Sequence, residues 1–433
     1  MGAPSGSPAG RPLGGWSLLA LGLNGVIGVG IFFTPGLIAA VAPGLRGAWV
    51  YGVTAAVLAP VGAVYATLGA RFDADGGPYL WARAAFGPAA AFAIGWIAYV
   101  SAVLSTAAVV AGLGHALAGA WGLSAPGQER LLALATGGSL MALTAAGLSP
   151  SARIWSALTV AKLLPLVLLV GAFVWRAPDL SAAAAPAAAP GGWGRAVLLA
   201  VFALQGFEIV PVPRGHARAG RWVVPAATLG SLALAAALYA AIQAACARAL
   251  PDLPGQAAPL VSTAAVLGGG GLARIVAVGA DVSAIGIAFG MAAMTPRYLA
   301  ALASDDLGPR LGPWLRAESR GQVPQRALAV TAAAVAVLVS GRALGALFVL
   351  SGLAVLAQYA ASALALAKLA WTRAHGLRRR DAVWAPASAA AVVFMVRGAQ
   401  PGELAILGGV LAAGAAVWCV ARLSARAAKS AAG

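Results

Sequence analysis

Between Trp16 and about Val41 the chain is apolar for long enough to cross a bilayer as one helix, yet this run carries Gly25, Gly28 and Gly30 and then Pro35. Glycine costs a helix about 1 kcal/mol per position and an interior proline about 3 kcal/mol. The stretch from Asn24 to Gly36 therefore predicts a helix that is broken in its middle. In hydrocarbon an unwound backbone persists only inside protein or against a wet cavity, because its free N–H and C=O groups need partners. Those groups are then available to a ligand. Close packing of a neighbouring helix on small residues is the competing reading, and this stretch alone leaves both open.

Only 9% of the 433 residues are charged and 61% are hydrophobic, against about 25% charged in soluble domains. The chain is expected to be an all-α polytopic membrane protein whose surroundings are the lipid bilayer. A formal net charge of +17 would suit nucleic acid, but the basic residues sit between apolar runs rather than along a solvated stripe. No nucleic-acid partner is expected. Cys246 and Cys419 fall in separate apolar runs, make neither a disulfide framework nor a metal pattern, and are read as packing residues. His115, His216 and His375 are isolated in sequence, so neither metal nor cofactor is expected.

Apolar runs divided by Arg, Pro, Gly or Asp clusters predict about twelve transmembrane helices. They fall near residues 17–40, 47–70, 89–119, 131–148, 154–175, 196–213, 223–247, 272–301, 325–341, 344–370, 383–397 and 403–421. The expected parts are a tail, 1–15, and a ten-helix transport core, 16–370, with helices one to five over about 17–175 and six to ten over about 196–370. Helices eleven and twelve occupy 371–422, and 423–433 is a second tail. The first apolar run is too long for a signal-peptide core and is expected to be retained. Most of the 29 Lys and Arg residues, among them Arg71, Arg83, Arg153, Arg214, Arg297 and Lys368, lie on one side of this arrangement. That side, with both termini, is assigned to the cytoplasm, and the chain to the inner (cytoplasmic) membrane. The run Arg378 to Arg380 is read as a topology signal, Ser181 to Pro190 as a low-complexity spacer, and Gly268 to Gly271 as a flexible turn.

A second interruption falls in the sixth helix, at Phe202-Ala-Leu-Gln-Gly-Phe-Glu208 followed by Pro211 and Pro213. Gln205 and Glu208 are polar groups at membrane depth, costly unless paired or wet. Breaks in the first and sixth helices, five helices apart, point to an inverted-repeat transporter with its site at the midplane.

The residues at these breaks resemble the amino acid, polyamine and organocation (APC) superfamily, specifically its bacterial amino acid permeases. The resemblance covers about Leu18 to Ala370. Gly25-Val-Ile-Gly-Val-Gly-Ile-Phe32 is similar to the family's Gly-x-Ile-Gly-Ser-Gly-Ile-Phe, and Gly76-Gly-Pro-Tyr79, Phe86-Gly87 and Gly95-Trp96 follow its next motifs in order. Phe-Glu at 207–208, Arg297 to Pro309, and Gly321 to Pro324 extend the match. The resemblance implies a LeuT-type fold of five-plus-five inverted repeats working by alternating access. It implies that the carboxylate of an amino acid meets backbone N–H groups at Val26, Ile27, Gly28, Val29 and Gly30, where a half-helix end favours an anion. The ammonium would meet carbonyls of the first helix and of Phe202, Ala203, Gln205 and Gly206, with Phe202 as an aromatic gate. Val29 stands where the family has Ser or Thr. Gly215 and His216 replace its usual acidic pair, which puts the inner gate contacts in doubt.

Lys162 lies in the middle of the fifth apolar run. It either snorkels to the surface or serves the transport cycle. By resemblance to sodium-independent members, its ammonium would contact carbonyls near Gly25 and Val26 and the hydroxyl of Ser283. The chain would then move substrate without sodium, by proton coupling or exchange. Glu208 is read equally as a gate or proton-linked group and as a satisfied helix-end polar group. Asp281 is read first as a paired structural acid, with a transport role as the alternative. The 12 acids and 3 histidines make no acid–His pair at catalytic spacing, so an enzyme is not expected. The scarcity of intramembrane carboxylates favours a neutral amino acid over the alternatives, a polyamine or organic-cation carrier and a non-transporting amino acid sensor.

Overall fold

The computed structural model describes residues 15–72, 77–123, 125–147, 152–176, 192–210, 222–305, 312–315 and 323–430. Expectations placed on Met1 to Gly14, Ser181 to Pro190, Pro211 to Arg221, Asp306 to Pro309 and Gly321 lie outside them, the Gly215–His216 departure included.

The first apolar run forms two helices, α1 (Gly15–Val26) and α2 (Gly30–Val41), bent by 52° about the three residues between them. Pro35 is accommodated within α2, so the glycines rather than the proline make the break. The chain continues through α3 (Arg46–Gly69), α4 (Gly77–Phe86), α5 (Pro88–Ala120), α6 (Pro126–Ala145), α7 (Ala152–Arg176) and α8 (Gly192–Leu204). Then come α9 (Val223–Ala249), α10 (Pro259–Asp305), α11 (Gln325–Gly341), α12 (Leu344–Trp371), α13 (Trp384–Val396) and α14 (Pro401–Ser430).

Among the described residues, six helices are long and apolar enough to cross a membrane, and the bent α1–α2 pair makes a seventh. The helix α4 was not anticipated: Trp81 and Ala82 bury themselves there although the segment is too short and too weakly apolar to read as a span. Residues 259–268 are also helical, and the glycine run after them is a kink between two helical segments, set by Gly269 at φ +69°. Helix α14 continues to Ser430, so much of the expected 423–433 tail is helical.

Polarity is distributed inside out. Leu164, Val167, Val278, Val337, Leu364, Val420 and Leu423 point outward and are exposed, as side chains facing lipid must be. Hydroxyls turn inward and pair between helices. Thr34 meets Tyr51 at 2.7 Å, Thr106 meets Thr295 at 2.9 Å, and Tyr99 meets Thr331 at 3.2 Å. Such pairs avoid the cost of a buried unsatisfied group, at a net gain of about 0.6 kcal/mol each. An edge-on aromatic cluster of Tyr65, Trp81 and Tyr359, with centroids 5.1 and 5.5 Å from that of Tyr65, ties α4 to α3 and α12. The Trp96 indole donates to the Val410 carbonyl at 2.9 Å, fastening α14 to α5.

Candidate functional site

At the first break the Ile27 N–H donates to the Leu23 carbonyl and the Gly28 N–H to the Val26 carbonyl, both at 2.8 Å. Those two donors are occupied. The N–H groups of Val29, Gly30 and Ile31 open α2, and like the first donors of any helix they have no acceptor within it. They form the positive end of a half-helix.

At the second break α8 stops at Leu204, and Gly206 takes φ +119°, a left-handed value that favours glycine. The Gln205 N–H still reaches the Val201 carbonyl at 2.8 Å. The Gly206 N–H turns instead to the Glu208 carboxylate at 2.6 Å. In a continued helix that N–H would bond to the Phe202 carbonyl. Glu208 therefore leaves the end of α8 with acceptors that lack helical donors. The two breaks touch: a Cβ built on Gly25 would lie 2.7 Å from the Gly206 carbonyl oxygen, and one on Gly206 would collide with the Gly25 carbonyl.

A cavity of about 550 Å³ lies at this junction. Gly25, Val26, Gly28, Val29, Gly30, Phe202, Ala203, Gln205, Gly206 and Glu208 line it, whereas Ile27, Lys162 and Ser283 do not. Glu208 is the sole carboxylate among the described lining residues, and no Lys or Arg is found there. The cavity extends past Tyr65, Gln358, Tyr298 and Tyr79 toward the α4 end of the bundle. On the opposite side Phe202 stacks on Phe348, with centroids 4.1 Å apart and planes at 13°. Phe348 is near the start of α12, whose far end meets α4 where the Lys368 ammonium lies over the Phe86 ring at 4.9 Å.

One polar cluster was missed from the sequence. The Ser105 and Ser351 hydroxyls, on α5 and α12, are 2.6 Å apart. The Gln205 amide nitrogen donates to Ser351 at 3.2 Å and to Ser105 at 3.4 Å. The Gln205 carbonyl oxygen is buried without a hydrogen-bond partner among the described residues. Serines inside apolar helices carry little signal in a sequence, because a hydroxyl can bond to its own helix.

Lys162, on α7, is 3% exposed, and its ammonium donates to the Asn24 carbonyl at 2.8 Å. It does not snorkel. The contact falls one residue before the expected Gly25, because the turn of the Gly28 N–H to Val26 frees the Asn24 carbonyl from its helical donor. The Val26 carbonyl also accepts the Tyr239 hydroxyl at 3.0 Å. Ser283 is buried, and its hydroxyl has no hydrogen-bond partner among the described residues, Lys162 included.

The readings of four further residues need correction. His115 is not isolated: its Nδ1 lies 3.1 Å from the Glu129 carboxylate and its ring meets Phe33 edge-on, since adjacent helices bring together residues 14 apart. His375 stacks on Phe72 at 4.4 Å. Asp281 is half-buried and makes no ion pair among the described residues, and Cys419 is exposed rather than packed.

Apolar faces outward, hydroxyls inward, and a cavity walled by the backbone of two interrupted helices define a polytopic membrane protein with a candidate small-molecule site inside its helix bundle. The chain belongs to the amino acid permease family, which it matches over residues 13–420. It is 32% identical over 372 residues to an uncharacterized transporter of Mycobacterium bovis and to one of Mycobacterium tuberculosis, spanning 82% of this chain and 80% of each relative. Family membership places it among multi-pass membrane permeases rather than enzymes.

Proposed function

We propose that the protein is a secondary transporter that carries a neutral amino acid across the inner membrane by alternating access. In this reading twelve spans include two inverted repeats of five helices. The observation that carries the proposal is the meeting of two opposite helix ends at one cavity. The donors of Val29 and Gly30, both lining the cavity, suit a carboxylate, and the carbonyls at Phe202 and Ala203 suit an ammonium. A zwitterion fits between them with its side chain toward Gln205 and Ser105. With α4 on the cytoplasmic side, the cavity faces the cytoplasm and the Phe202–Phe348 stack closes the outer path.

The Lys162 ammonium occupies the Asn24 carbonyl at the first break, so that carbonyl needs no sodium ion as its partner. Glu208 is the proton-linked or gating group, since it both caps the second break and lines the cavity.

Counterflow of a panel of radiolabelled amino acids in sodium-free proteoliposomes tests this. Neutral amino acids should exchange, and a strict sodium requirement would refute the coupling. One observation favours a second reading, an organic-cation carrier: the cavity holds Glu208 and no basic side chain among its described lining residues. Exchange of amines with none of amino acids would select it.

A further inference from the structure

A second concavity lies on the outside of the bundle, far from the described site in character. Pro165 of α7 packs so closely on α10 that a Cβ on Gly279 would collide with its ring. Beside this seam Ala161, Leu164, Ile275, Val278 and Val282 line a groove of about 350 Å³. Leu164 and Val278 are more than half exposed within it, at 53% and 61%. Every lining residue is apolar or glycine except Arg274, at the end nearest the Gly269 kink. Arg274 is exposed and forms no ion pair among the described residues. Asp281, seven residues on, is about 10 Å away along the helix.

We infer that this groove is a binding site for one anionic phospholipid, its acyl chain lying along α7 and α10 and its phosphate on Arg274. A membrane-embedded groove with an apolar floor takes a hydrocarbon chain, the solvent at that depth. Arg274 is five residues, about 7.5 Å, inside the end of its helical segment, within reach of the headgroup level when the side chain extends. Its guanidinium offers a planar pair of donors suited to phosphate. No counterion to this charge stands among the described residues, so a lipid with net negative charge is preferred over a zwitterionic one. The floor residues Ala161 and Val282 adjoin Lys162 and Ser283 in sequence, which puts the lipid directly behind the lysine that holds the first break.

The test uses the full chain in nanodiscs containing a photoactivatable acyl-chain phosphatidylglycerol or the matching phosphatidylcholine, with crosslinked peptides read by mass spectrometry. Phosphatidylglycerol should label residues 161–165 and 275–282 above the exposed faces of α14, which report ordinary annular lipid. Arg274→Gln should lower that labelling roughly fivefold, Arg274→Lys should largely restore it, and phosphatidylcholine labelling should change little. Val278→Trp, which fills the groove without touching the charge, should lower labelling by both lipids. Groove labelling no higher than on α14, or unchanged by Arg274→Gln in protein that remains monodisperse, would overturn the assignment.

Discussion

Replacing Lys162 with Met separates the two costs bound up in a buried lysine. The side chain is 3% exposed and makes a 2.8 Å hydrogen bond to the Asn24 carbonyl, linking α7 to the end of α1. A hydrogen bond from a charged donor contributes about 1.5–3 kcal/mol, equivalent to roughly 10- to 150-fold in a conformational equilibrium. Met fills a similar volume, and it also removes the expense of keeping a charge out of water, which is of comparable size. Overall stability should therefore change little. The equilibrium between the two facing states, which depends on where the first half-helix is held, should shift by about one to two orders of magnitude. The assay is sodium-free exchange in proteoliposomes, paired with thermal unfolding in detergent. The expected result is exchange slowed at least tenfold with a nearly unchanged unfolding midpoint. Wild-type exchange rates in Lys162→Met would refute the reasoning, because the bond would then carry no weight in the cycle.

Gly206→Ala should abolish ligand binding, since the left-handed backbone costs about 1–2 kcal/mol and the new Cβ meets the Gly25 carbonyl; ligand-induced thermal stabilisation is the readout, and binding at wild-type affinity is the contrary outcome. Gln205→Leu removes an unpartnered buried carbonyl oxygen, worth about 1–3 kcal/mol, so the variant should unfold at higher temperature while favouring apolar over hydroxyl-bearing substrates in competition assays. Glu208→Gln keeps an oxygen to accept the Gly206 N–H but cannot carry a proton, so exchange should persist with a flattened pH profile; an unchanged profile would remove its proton-linked role. Arg195 and Glu403 form a paired contact at 2.7 and 2.9 Å between α8 and α14. Arg195→Met should cost about 3–5 kcal/mol and Arg195→Met with Glu403→Leu much less, as read by thermal unfolding.

The breaks were legible in the sequence because glycine at Gly25, Gly28, Gly30 and Gly206 has a known price in a helix and no other residue type explains it. Long apolar runs likewise announced α3, α5, α9 and α12. What was hidden depends on neighbours distant in sequence. The Asn24 carbonyl becomes the Lys162 acceptor only because one N–H turns to Val26. Ser105 and Ser351 meet across 246 positions, and His115 reaches Glu129 between adjacent helices. Helix α4 is amphipathic and short, so its burial comes from tertiary contacts at Trp81 and not from its own hydropathy.

In the proposed function one end of a substrate is held by the donors of Val29 and Gly30 and the other by the carbonyls ending α8. This mode of binding is tested by competition binding to the purified protein, using an exchanged neutral amino acid, its amide and its deaminated acid. Loss of either charged end should weaken competition at least tenfold, the effect of losing one charge-assisted hydrogen bond of about 1.5–3 kcal/mol. Equal competition by the amide or by the deaminated acid would contradict this mode of binding, because that end of the molecule would then be unread.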